Sequence, residues 1–106
     1  MFSGQSDHAI TLDEAKARVR RQREHQSAIR GSDPQCEFFG REVLDRILAQ
    51  PGCAGIRIYH GRNDKGQHAL VLVGTDASGG DQLDGTIAEK GRPCPPYCDA
   101  QSTLAS

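Results

Sequence analysis

The chain has no tryptophan, one methionine, three phenylalanines and two tyrosines among its 106 residues. That scarcity excludes a core built on large rings, so burial has to come from Ile, Leu and Val within an apolar fraction of only 36%. No run approaches the ~20 apolar residues of a membrane helix, and a membrane partner is not expected. Excess charge of one sign is missing too. Thirteen Lys and Arg oppose fourteen Asp and Glu, a formal net charge of −1, which provides no overall attraction to nucleic acid or an anionic surface. There is no P-loop, dinucleotide-binding glycine fingerprint or His-Glu-x-x-His sequence. Met1 to Ile10 hold no cationic start followed by an apolar stretch, so no secretory signal is read there and a cytoplasmic location is expected. In a reducing cytoplasm the four cysteines, Cys36, Cys53, Cys94 and Cys98, are expected as thiols or ligands rather than structural disulfides.

What is present reads as one small α+β domain. Two N-terminal helices precede a small antiparallel β-meander and an extended Cys/Pro tail. The expected division is a flexible N-terminus over 1–9, a single domain over 10–90 and the tail over 91–106. Thr11 and Glu14 have the spacing of a capping box, and Ile10 stands where it can pack on Ala15, so the first helix should begin there. Its apolar seam, Leu12, Ala15, Val19 and Ile29, is narrow. Lys16, Arg18, Arg20, Arg21, Arg23 and Arg30 outnumber Asp13, Glu14 and Glu24, but with no aromatic stacking platform these arginines read as a solvated face rather than a nucleic-acid contact. Gly31 and Pro34 should end this helix.

A second helix is expected over about 37–50, with Phe39, Val43 and Ile47 repeating every four residues and Glu42–Arg46 and Arg41–Asp45 paired on the polar side. Pro51 and Gly52 stop it. Ile56–His60 and Ala69–Val73 read as the two strands of a hairpin. The second is apolar on both faces from Leu70 to Val73 and should be central. A third strand is expected near Leu83–Ala88. Three prolines between Gly91 and Cys98 exclude a helix or a central strand there.

The stretches Gly55-Ile56-Arg57-Ile58-Tyr59, Leu70-Val71-Leu72-Val73-Gly74 and Pro93-Cys94-Pro95-Pro96-Tyr97-Cys98, in that order, resemble a family of small bacterial proteins of unknown function. Phe38-Phe39-Gly40 and Pro51-Gly52-Cys53 lie upstream in similar positions, so the resemblance spans roughly residues 38–98. It implies the same element order and makes the Pro93–Cys98 segment a recurring family feature, but it carries over no catalytic residue.

Cys94 and Cys98, with three residues between them, form the one local constellation able to bind or react. They could bind a zinc or iron ion with His60 and His68, or with Cys53, if the tail folded back over the hairpin, since a closed site needs about four ligands. They could also form a redox pair, although the usual two-residue spacing and helix N-terminus are absent. The Cys94-Pro95 dipeptide is also of the kind through which some proteins bind haem. Against these stands a plainer reading, in which the tail is a Pro-rich strap packed through Tyr97 and Cys94, or docked on a partner. Cys36 and Cys53 read as small buried or half-buried thiols. Asp76, Ser78, Asp81 and Asp84 surround a Gly79-Gly80 pair, where a polar turn accounts for the oxygens better than calcium and for the glycines better than a leader-cleavage signal. A cysteine nucleophile would require Cys53 or Cys94 beside His60 or His68, which sequence cannot place together.

The leading expectation is therefore a non-enzymatic binding or assembly module, oligomeric or bound to another protein, whose contact surface includes Tyr59, Val71, Val73 and Tyr97. The alternative is a metal-binding or thiol-redox protein using the C-terminal cysteine pair.

Overall fold

A computed structural model describes residues 2–29 and 34–104. In chain order these hold α1 (Leu12–Ile29), β1 (Cys36–Phe38), α2 (Arg41–Leu48), β2 (Cys53–Arg62), β3 (His68–Asp76), β4 (Ile87–Ala88) and β5 (Arg92–Cys94). Both sheets are antiparallel, one of order β2-β3-β4 and the other the pair β1-β5, so the class is α+β.

The start of α1 follows from its local chemistry. Thr11 Oγ1 accepts from Glu14 N at 3.1 Å, and Glu14 Oε1 accepts from Thr11 N at 3.0 Å, so two backbone donors at the helix start gain partners. The same contact to the Thr11 amide, with the Thr11 hydroxyl, holds the Glu14 carboxyl below its usual range. Only Ala15, Lys16, Ala17, Val19 and Arg23 are half-buried among the α1 side chains described, in keeping with the narrow seam. The expected stop at Arg30 to Asp33 lies outside the described residues.

Helix α2 is shorter than the 37–50 its periodicity suggests. Cys36–Phe38 leaves it to pair with Arg92–Cys94, and Gly40, in extended backbone, stands at the N-cap. On its inner face Ile47 is fully buried against Leu72 and Ala88, with Phe39, Val43, Leu44, Ile56 and Leu70 around them. On its outer face Glu42 and Arg46 pair at 3.1 Å.

The hairpin is longer than expected and its register places Ile58 opposite Leu72, Tyr59 opposite Val71 and Arg57 opposite Val73. At its turn Asn63 Oδ1 accepts from Lys65 N and Gln67 N at 2.9 and 3.0 Å, and Gly66 takes φ +78°, which a side chain would resist. As its two-faced apolar pattern predicts, β3 is central, with Ala69, Leu72 and Val73 buried. The expected strand over 83–88 shrinks to Ile87–Ala88, because the chain before it is used in a clamp. Gln50 Oε1 accepts from Thr86 N at 2.6 Å, Gln50 Nε2 donates to Gln82 Oε1 at 2.9 Å, and Gln82 Nε2 donates to Pro51 O at 2.9 Å. This ties the end of α2 to the loop entering β4. The tail begins extended, as β5, but departs from a wholly extended strap where the chain turns back beyond Cys94.

Candidate functional site

The β1–β5 ribbon sets Cys36 opposite Cys94, Glu37 opposite Pro93 and Phe38 opposite Arg92. Beyond β5 the chain turns back, Tyr97 N donating to Pro93 O at 2.8 Å and Cys98 N to Pro96 O at 3.0 Å. That return brings the Cα atoms of Cys94 and Cys98 to 4.8 Å, and the two form a disulfide. This corrects the expectation that all four cysteines are thiols or ligands. Cys36 and Cys53 are free. Cys36 is exposed rather than buried, whereas Cys53 is half-buried, its thiol donating to Gly55 O at 3.2 Å.

His60 faces Leu70 and Arg62 faces His68 in the hairpin register, so the two histidines are diagonal neighbours on one face. Their Nδ1 and Nε2 atoms approach to 3.1 Å. A cavity of about 390 Å³ beside them is lined by Cys36, Glu37, Leu70 and Gln22 of α1. The Glu37 carboxylate accepts from Leu70 N at 3.0 Å and so joins the ribbon to the larger sheet. The quartet proposed for zinc or iron, Cys94, Cys98, His60 and His68, is not gathered here. Two of its sulfurs are bonded to each other, and among the described residues no three His, Cys, Asp or Glu side chains are disposed to hold a metal ion.

On the opposite face of the hairpin a polar cluster converges on Asp81. Arg57 Nη1 donates to Asp81 Oδ1 at 2.7 Å and to Gly79 O at 3.0 Å, Thr75 Oγ1 donates to the same carboxylate oxygen at 3.2 Å, and the Tyr59 hydroxyl donates to the other. The Tyr59 hydroxyl, aided by Thr75 and Arg57, holds the Asp81 carboxyl below its ordinary range against the opposing pull of burial. The Phe2 ring lies under the Arg57 guanidinium at 5.2 Å, and Phe2 N donates to Ala77 O at 3.3 Å. The sequence flags Asp81 as one oxygen of a turn and assigns Tyr59 to a contact surface, but it passes over Arg57 and Thr75 and does not bring the four together. The period-two placement of Arg57, Tyr59 and Thr75 on paired strands is the signal that could have found them. Asp76 serves the turn itself, its Oδ1 accepting from Ser78 N and Gly80 N, each at 2.9 Å.

No protein-family model, curated protein or solved structure matches the chain. The contact residues expected from sequence divide by position. Tyr59 is 47% exposed and Tyr97 55% exposed, the latter beneath the Arg92 guanidinium at 5.1 Å. Val71 is half-buried. Val73, at 3% exposure, belongs to the protein's own interior and is removed from the candidate surface. Sequence reading passed over Ile58 and Ile87 as surface residues, yet these are 54% and 50% exposed. Strand alternation alone assigns them to a face without saying whether anything covers it.

Proposed function

We propose that the protein is a non-enzymatic assembly module that joins a second copy of itself through strand β2. The observation that carries this reading is the position of β2: ten residues long, it has, among the described residues, a sheet neighbour on one side only, and its middle, Ile58-Tyr59-His60, is exposed. An edge of this length presents unpaired backbone donors and acceptors that another strand can satisfy. Antiparallel self-pairing about Tyr59 would set Ile58 opposite His60 and Arg57 opposite Gly61, so no two arginines oppose each other across the two-fold axis. The small interior, in which Ile47 is the largest fully buried side chain, gives such association stability to contribute.

Native mass spectrometry and sedimentation of the wild type and an Ile58→Pro variant test the proposal. A wild-type dimer that the proline converts to a folded monomer is expected, because Pro removes an edge donor. A wild-type monomer at high concentration, or a dimer indifferent to the proline, overturns it. The Cys94–Cys98 disulfide favours a second reading, a thiol-redox role for the C-terminal pair.

A further inference from the structure

We infer that Cys36, Cys94 and Cys98 form a thiol–disulfide exchange site, in which the Cys36 thiol can take over Cys94 from Cys98. The inference rests on the second reading in one respect, that the Cys94–Cys98 bond forms. Its own ground is the register of the β1–β5 ribbon, which puts a free and exposed thiol directly across the ladder from one half of a disulfide.

Directly opposed residues of an antiparallel pair have Cα atoms about 4.5 or 5.5 Å apart and side chains on the same face. Either separation falls within the roughly 4.4–6.8 Å that a disulfide spans. Cys94 is therefore within bridging reach of two partners: Cys98, whose Cα lies at 4.8 Å, and Cys36 across the ribbon. The two alternatives differ in what they expose. Cys94 is 2% exposed in the present arrangement, while Cys98 lies at the surface, where a departing thiolate is solvated. His60 and His68 line the same cavity as Cys36.

In the exchange, Cys36 loses its proton and its Sγ attacks Cys94 Sγ. The Cys36–Cys94 bond forms as the Cys94–Cys98 bond breaks, the electron pair leaves on Cys98 Sγ, and that sulfur takes up a proton. One thiol and one disulfide stand on each side, so no external oxidant or reductant is consumed. The outcome is a thiol moved from the ribbon to the exposed end of the tail, where it is available to a thiol-bearing or disulfide-bearing partner.

The test is alkylation and disulfide mapping of the full chain under native conditions without reductant. Cys36→Ser and Cys98→Ser alter exposed positions and leave the buried Cys94 in place. In the wild type, left to equilibrate first and then quenched with a brief pulse of N-ethylmaleimide, part of the label should sit on Cys98, released by exchange before the exposed Cys36 thiol can be blocked. In Cys36→Ser that labelling should fall by about tenfold or more, since the attacking thiol is gone. In Cys98→Ser treated with oxidised glutathione, mapping should return a Cys36–Cys94 disulfide. A Cys98→Ser protein whose Cys36 and Cys94 stay separate, as free thiols or glutathione adducts, overturns the inference, as does Cys98 labelling unchanged by Cys36→Ser. Failure of the underlying redox reading looks different: wild-type protein given the same oxidant then shows no Cys94–Cys98 bond at all.

Discussion

Ile47 is the side chain on which the docking of α2 depends, and truncating it should cost a large share of the stability. It is wholly buried against Leu72 and Ala88, with Val43, Leu44, Ile56 and Leu70 packed around that group. Ile47→Ala removes everything beyond Cβ, worth roughly 2.4 kcal/mol at about 0.8 kcal/mol per carbon. A cavity term raises the expected loss to about 3–4 kcal/mol, because the surrounding sheet closes only partly. Domains of this size are stable by about 5–15 kcal/mol, so the variant stays folded at low temperature but with a strongly reduced margin. The assay is urea unfolding followed by circular dichroism, where a slope near 2 kcal/mol per molar lowers the midpoint by about 1.5–2 M. Leu48→Ala, one residue on but 49% exposed, is the internal control and should cost under about 1 kcal/mol. Equal effects of the two variants would refute the placement of α2, since they would mean that the helix presents neither side to the sheet.

Other consequences can be checked with single substitutions. A Cβ at Gly74 would stand 2.6 Å from Gln82 Oε1 and 2.7 Å from Gln50 Nε2, so Gly74→Ala should displace the glutamine clamp and cost about 1–3 kcal/mol in thermal or urea unfolding. Asp81 titrates below its ordinary value of 3.8 in the folded protein, so its contribution to stability is complete above that value and is lost as pH falls through the lowered one. Asp81→Asn should accordingly be less stable than wild type at neutral pH, with the gap closing in acid, whereas a gap independent of pH would sink that account. Thr11→Ala should reduce helicity in far-UV circular dichroism by fraying the first turn of α1.

Features decided by neighbouring residues could be read from the sequence. The Thr11–Glu14 cap, the Glu42–Arg46 pair, the apolar face of α2 and the centrality of β3 all depend on spacings within a few positions, and each stands in the fold. Features decided by distant residues could not. Cys36-Glu37-Phe38 becomes a strand only because Arg92-Pro93-Cys94 lies beside it, and nothing local distinguishes it from the first turn of the helix that follows. The same blindness merged residues 83–86 into a strand, where Gln50 instead takes the Thr86 amide. For the cysteines the error had another source. A compartment inferred from the opening residues argued against a bridge, while the return of the chain through Pro95 and Pro96 brings Cys94 and Cys98 together. At the candidate site, the sequence singles out His60 and His68, and the fold sets them in one cavity with Cys36 and Glu37, which lie too far away along the chain for local spacing to reveal.

The contact between Glu37 and the Leu70 amide makes that amide a native reporter for the far ribbon. Strand β4 reaches only Leu72 and Val73, so Leu70 depends for its hydrogen bond on a side chain next in sequence to Cys36. Any event that unseats β1 should hasten deuterium uptake at Leu70 while leaving Leu72 protected, whereas a Cys36–Cys94 bond, which ties β1 to β5, should slow it. One resonance in an exchange spectrum would then register the state of a sulfur bond in a separate sheet, without a label on any cysteine.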